Sequence, residues 1–199
     1  MKPQFRVLGI DDGPFSFTDR SVPAIGVVYR KGYIDAILKS ELTVDGDDAT
    51  TVIAKMVIDS GPVKQLAAVM LDGITFGGFN VVDLEALHNA TGVPVITVTR
   101  DEPDMEAIRN ALEKMGTSPA KGRRAVPDWN ERYARLERLS LVEVTTGHKP
   151  VHIAYEGLPL SEAKGIVRAT TVRGAMPEPL RLAHLIATAL VKGKSRGDP

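Results

Sequence analysis

Apolar residues recur along this chain in two rhythms, and the change from one to the other marks its elements. Phe5 to Ile10, Val22 to Tyr29 and Tyr33 to Val44 are β-prone runs, with Arg30-Lys31-Gly32 as a tight hairpin turn between the second and third. The chain therefore opens as an antiparallel meander. Asp45-Gly46-Asp47-Asp48 breaks the pattern, and the period lengthens: Val52, Ile53, Met56 and Val57 form one stripe of a helix over Ala49 to Ser60. Asp47 or Asp48 is its N-cap and Gly61-Pro62 its stop. Ala67 to Leu71 is an unbroken apolar run, the pattern of a buried central strand, and it ends at Asp72. Past a Gly-rich loop come a helix over Val81 to Asn89 capped by Asn80, a strand at Val95 to Val98, and a helix over Asp101 to Met115 with the acidic start that the helix dipole favours. The basic connector Gly116 to Val126 is expected to be exposed and mobile. A charged helix (Trp129 to Leu139), two strands (Leu141 to Val144, Val151 to Ala154), a helix capped by Ser161 and ending near Thr170, and a last helix (Leu180 to Val191) after Pro177-Glu178-Pro179 complete the pattern. Lys192 to Pro199 is a polar tail expected to fray.

Three antiparallel strands, a helix, a strand, a helix, a strand and then helices is the order of the ribonuclease H-like α/β fold, a mixed sheet of three antiparallel strands and then parallel ones, flanked by helices. In it the first and fourth strands are neighbours. Asp11 and Asp72 then leave the C-terminal ends of adjacent strands, about 4.8 Å apart, where open α/β sheets place ligand groups. Two such carboxylates suit a shared divalent cation, and hard oxygen ligands without a His or Cys cluster suit Mg²⁺ or Mn²⁺. Asp48, at the start of the first helix, is either the third carboxylate or a plain cap. Gly73, Gly77 and Gly78 allow a tight turn or the close approach of a ligand. The bland alternative is a solvated Asp beside a Gly turn.

Composition narrows the function classes. The 199 residues suit a single domain, 43% hydrophobic and 25% charged, with formal net charge +0, so no global field attracts nucleic acid or membrane; a local basic patch stays possible. The chain has no Cys, which excludes disulfides, thiolate metal sites and Cys nucleophiles. There is no apolar run long enough to span a bilayer, and the N-terminal apolar stretch is too short for a signal peptide, so the cytoplasm is the expected location.

Four motifs in order carry a resemblance: Gly9-Ile10-Asp11; Leu71-Asp72-Gly73; Gly92-Val93-Pro94-Val95-Ile96 leading through Thr97-Val98-Thr99 to Arg100; and Pro177-Glu178-Pro179-Leu180-Arg181-Leu182-Ala183-His184. With them the chain resembles the endonuclease V superfamily, most closely its branch with a GIDDGPF motif. The resemblance implies an endonuclease V-like, divalent-metal-dependent phosphodiester hydrolase acting on DNA or RNA, in the setting of DNA repair. It implies Mg²⁺ or Mn²⁺ as cofactor, held by Asp11, Asp48 and Asp72, with Asp12 and Asp47 as competing ligands. The family usually has Glu where this chain has Asp48, a shortening of about 1.5 Å. Endonuclease V also has an aromatic-proline wedge before that acid and a His after the strand-four Asp-Gly. Here the matching stretches are Leu42-Thr43-Val44-Asp45-Gly46-Asp47 and Ile74-Thr75-Phe76-Gly77-Gly78-Phe79, with neither wedge nor His.

Other residues are candidates by type. Arg181 and His184 share a helix face, placed to touch phosphate or, for His184, to move a proton. Arg100 is a candidate phosphate contact, Phe76 and Phe79 are candidate base-stacking residues or ordinary core, and Lys121, Arg123 and Arg124 are a candidate backbone clamp. His88, His148 and His152 lack metal spacing. The competing reading is a non-catalytic nucleic-acid-binding protein. A third, a phosphotransferase of the sugar kinase and actin group suggested by Gly9-Ile10-Asp11-Asp12-Gly13, needs a second half that 199 residues do not hold.

Overall fold

A computed structural model describes residues 5–196; positions 197–199 of the expected polar tail lie outside the described residues. The meander consists of β1 (Arg6–Asp12), β2 (Ser21–Arg30) and β3 (Tyr33–Thr43). After α1 (Ala49–Asp59) come β4 (Leu66–Asp72), a small hairpin of β5 (Thr75–Phe76) and β6 (Asn80–Val81), α2 (Leu84–Thr91) and β7 (Val95–Thr99). The rest is α3 (Met105–Thr117), α4 (Trp129–Glu137), β8 (Val142–Val144), β9 (Val151–Glu156), α5 (Leu160–Thr170) and α6 (Glu178–Lys192). The main sheet has the order β3-β2-β1-β4-β7-β9-β8. β1 is antiparallel to β2 and parallel to β4, β4 is parallel to β7, and β9 runs antiparallel to both β7 and β8. The mixed α/β sheet and the adjacency of the first and fourth strands agree with the sequence expectation.

Four boundaries differ, each for a local reason. Asn80 does not cap α2. It lies buried in β6, where its amide bonds Ala49 N, Thr43 O and Asp48, and Asp83 caps the helix by accepting from Ala86 N. α3 begins at Met105, not Asp101, because Pro103 keeps the residue before it out of helical geometry; Asp104 caps it. α5 starts after Pro159, so Ser161 lies inside its first turn. α6 includes Glu178 and Lys192 and stops at Gly193, whose φ of 72° is the left-handed turn that glycine supplies best.

Both faces of the sheet are covered. Leu8, Ile10, Val69 and Leu71 pack on Ile53, Met56 and Val57 of α1 and Leu87 of α2. The alternate residues Val7, Ala68, Met70, Ile96 and Val98 pack on Ile166 and Val167 of α5 and Leu180 of α6. By that alternation Gly9, Asp11 and Gly13 face α6 together. A Cβ on Gly9 would lie 2.6 Å from the backbone of Pro179, and one on Gly13 would lie 3.0 Å from Val191. The glycines flanking the acidic pair therefore let α6 lie flush along β1.

Candidate metal centre

β1, β3, β4 and β7 point the same way, so the segments after them share one edge of the sheet. The parallel register pairs Ile10 with Leu71, and one step further brings Asp11 beside Asp72, both on the α6 side. The third member comes from α6: His184 Nδ1 lies 2.8 Å from Asp11 Oδ2. Asp11, Asp72 and His184 offer ligand atoms that all lie within 4.8 Å of one another. Asp11 is buried, Asp72 half-buried, and the His184 side chain 54% exposed.

The electrostatics are those of crowded acids. Burial and the neighbouring Asp11 charge push the Asp72 carboxyl up to about 7, against partial relief from His184 and Arg100. Asp12 lies on the opposite face of β1, where it accepts from Gly77 N at 2.7 Å; burial first, then Asp11, raises it to about 6. The hydrogen bond to Asp11 raises His184 above its ordinary value. Two hard carboxylates and an imidazole around one point, with one proton retained for lack of a counter-charge, fit a divalent cation that takes mainly oxygen ligands.

Metal-free stability should therefore fall as pH rises. Between the ordinary 3.8 and the folded values near 6 and 7, the folded chain keeps protons that the unfolded chain has released. The contribution of His184 is complete below about 6.5 and is lost as pH rises through its raised folded value. Both effects act in the same direction. With solvent screening discounted, the loss is on the order of 1–2 kcal/mol, a few degrees in Tm for a chain of this size. Melts from pH 5 to 8 in chelator and in Mn²⁺ should diverge as pH rises. Parallel curves would mean that no ion binds here.

The structure does not bring Asp48 into this group. Its oxygens accept from Thr43 N, from Thr43 Oγ1 at 2.7 Å and from Asn80 Nδ2 at 2.6 Å. Burial works to raise its carboxyl, and those hydrogen bonds outweigh burial and hold it below the usual range. Nor does its side chain cap α1. Asp47 is exposed.

The remaining candidates are dispersed. Arg100 is exposed and close enough to Asp72 to act on its charge. Arg181 is held by Glu178 through two hydrogen bonds of 2.8 and 2.5 Å. Of the two readings of Phe76 and Phe79, core packing is the one seen: Phe76 is fully buried, and half-buried Phe79 packs beside Val81 and Leu112. The connector is not uniformly exposed. Val126 is buried, and Arg123 pairs at 3.0 Å with Asp45, which is wholly buried; Lys121 and Arg124 are exposed. Gly77 and Gly78 fit the turning alternative. Their φ values are 53° and 94°, and a Cβ on Gly78 would lie 2.3 Å from Asp45 Oδ1. Sequence reasoning missed Asp45 as an anchor and Phe17 as an exposed aromatic. The available signals were an Asp-Gly turn facing a Gly-Gly turn, and two Phe in a short polar loop.

Comparison with known proteins decides the family. The model of the Endonuclease dU family matches residues 3–191. The chain belongs to that family. A UPF0215 protein of Methanosarcina barkeri is 44% identical to this endonuclease dU family member, over 99% of this chain and 96% of the relative. A crystal structure of a protein of unknown function from Archaeoglobus fulgidus superimposes with a TM-score of 0.79 at 35% identity, covering 94% of this chain and 98% of the other. Endonuclease V of Ciona intestinalis, solved with inosine-containing DNA, gives a TM-score of 0.59 at 13% identity, over 97% and 88% of the two chains. That likeness carries the ribonuclease H-like fold.

Proposed function

We propose that this endonuclease dU family member is a divalent-metal-dependent endonuclease that hydrolyses phosphodiester bonds in DNA carrying a deaminated base, with deoxyuridine the first candidate. The observation that carries this reading is the Asp11–Asp72–His184 group at the ends of adjacent parallel strands. Asp11 and Asp72 would hold Mg²⁺ or Mn²⁺, with Asp48 a further acidic ligand candidate on the same sheet edge. The ion, when bound, supplies Lewis-acid stabilisation of charge on the scissile phosphate. His184 has Nδ1 engaged by Asp11, so Nε2 is the nitrogen that would donate a proton to the leaving oxygen.

Arg100, Lys121 and Arg124 are the exposed cations proposed to meet phosphates; Arg181 is engaged by Glu178 one turn earlier on the same helix. A cavity of about 450 Å³ adjoins Gly73, the residue after Asp72, and is lined among others by Thr99, Pro103, Met105, Tyr133 and Leu141. Its largely apolar wall with a few hydroxyls suits a base turned out of the stack. The test is cleavage of labelled oligonucleotides containing uracil, inosine, an abasic site or only ordinary bases, with Mg²⁺, Mn²⁺ or chelator. Metal-dependent nicking with uracil preferred supports the reading. Binding without cleavage in either metal favours the non-catalytic alternative.

A further inference from the structure

Between β1 and β2 a polar loop holds two aromatic rings, Phe15 and Phe17, edge to face with centroids 5.5 Å apart and planes at 88°. Phe17 remains 49% exposed. Its surroundings are not those of a stray surface residue. The Arg123 guanidinium lies 3.8 Å from the ring centroid, and Arg123 is fixed in turn by Asp45, through Nε at 3.0 Å and Nη2 at 3.4 Å.

The anchor itself is built at a cost. Asp45 is fully buried and has a left-handed φ of 51°, uncommon for a residue with a side chain. Phe79 N donates to it, and Arg132 Nη1 donates to its carbonyl and to those of Gly46 and Phe79. A buried carboxylate, a strained turn and a second arginine thus hold one guanidinium against a ring that stays half in water. Burying Phe17 would be simpler if its role were stability. Gly122 lies against Thr18, which brings the connector, with exposed Lys121 and Arg124, alongside the same loop.

We infer that Phe17, backed by Arg123, is a stacking platform for an unpaired nucleobase of the DNA strand that enters the site. The occupant follows from the chemistry: an aromatic face paired with a cation and flanked by basic side chains is what a flat π-system on a phosphate backbone requires. The loop follows β1 directly, so the platform shares the sheet edge with Asp11 and Asp72. The inference rests on the nuclease reading for its ligand class, and binding in chelator tests it separately from cleavage.

The experiment uses the full chain as wild type, Phe17→Ala and Phe17→Trp, with a fluorescein-labelled single-stranded oligodeoxynucleotide and its duplex. In chelator, Phe17→Ala should bind the single strand about tenfold or more weakly, the size of one lost stacking contact. Phe17→Trp should bind like wild type, and the emission it adds to that of Trp129 should be quenched by an unlabelled single strand. Equal affinity of Phe17→Ala and wild type, unquenched emission, or no binding of wild type to either oligonucleotide would overturn the platform. Absence of cleavage by wild type in Mg²⁺ and Mn²⁺, with quenching intact, would instead count against the nuclease reading alone.

Discussion

Replacing Asp11 with asparagine is expected to cut metal-dependent cleavage by about a thousandfold or more, because a cation that stabilises phosphate charge contributes several kcal/mol. The same change should leave the metal-free chain at least as stable at pH 8. Asp11 is buried at a strand end beside the half-buried Asp72, whose carboxyl is already pushed up to about 7 partly by the Asp11 charge. Asparagine keeps an oxygen for the bond from Asp12 N, made at 2.8 Å in wild type, and removes the repulsion. At pH 5 the balance changes, since protonated His184 loses its carboxylate partner at 2.8 Å. Melts in chelator should therefore show Asp11→Asn at or above wild type at pH 8, with the advantage shrinking or reversing at pH 5. A purely structural Asp11 predicts a deficit at both pH values, about 1–3 kcal/mol for an unpaired buried partner. A large deficit at pH 8 would remove Asp11 from the active site.

What the sequence revealed and what it concealed separate along a physical line. Apolar runs bounded by turn residues located the strands of the sheet, since burial on two faces leaves a one-dimensional trace; β1 to β4 and β7 lie where the pattern places them. The Asp11–Asp72 pairing was legible because it needs only strand order and strand ends. The strand and helix order alone puts Asp48 at the same sheet edge as the other acids. Its bonds to Thr43 span only five residues, but its bond to Asn80 spans 32, which no local pattern encodes. The sequence marks His184 as a proton-transfer candidate, but its contact with Asp11 joins residues 173 apart. Phe76 and Phe79 looked alike on paper, both beside glycines. Burial separates them from Phe17, which lies in a stretch too polar and short to register as an element. Arg123 stands in the sequence as one of three basic connector residues and Arg132 as one cation among many; the buried carboxylate and carbonyls they meet give them their structural roles.

Gly9 should tolerate a side chain least of all the positions on β1. An added Cβ would meet the carbonyl carbon and the Cβ of Pro179 at 2.6 Å and its carbonyl oxygen at 2.8 Å. These are backbone and ring atoms at the first turn of α6, with no flexible end to swing aside, so the helix itself must lift from β1. Overpacking of that kind costs about 1–3 kcal/mol, or roughly 2–4 °C of Tm per kcal/mol in a chain of this length. The functional loss should be larger than the stability loss. α6 carries His184, and a displacement approaching 1 Å can cost about a hundredfold in rate. Gly165, inside α5 with open space where its Cβ would go, supplies the contrast: Gly165→Ala should stabilise by about 0.5–1 kcal/mol through helix propensity alone. The measurement that separates positioning from general damage is the His184 titration followed by NMR. In wild type the bond to Asp11 raises that pKa; in Gly9→Ala it should fall back toward the ordinary 6.5. A His184 titration identical in the two proteins would show that Gly9 does not set the contact between α6 and the acids.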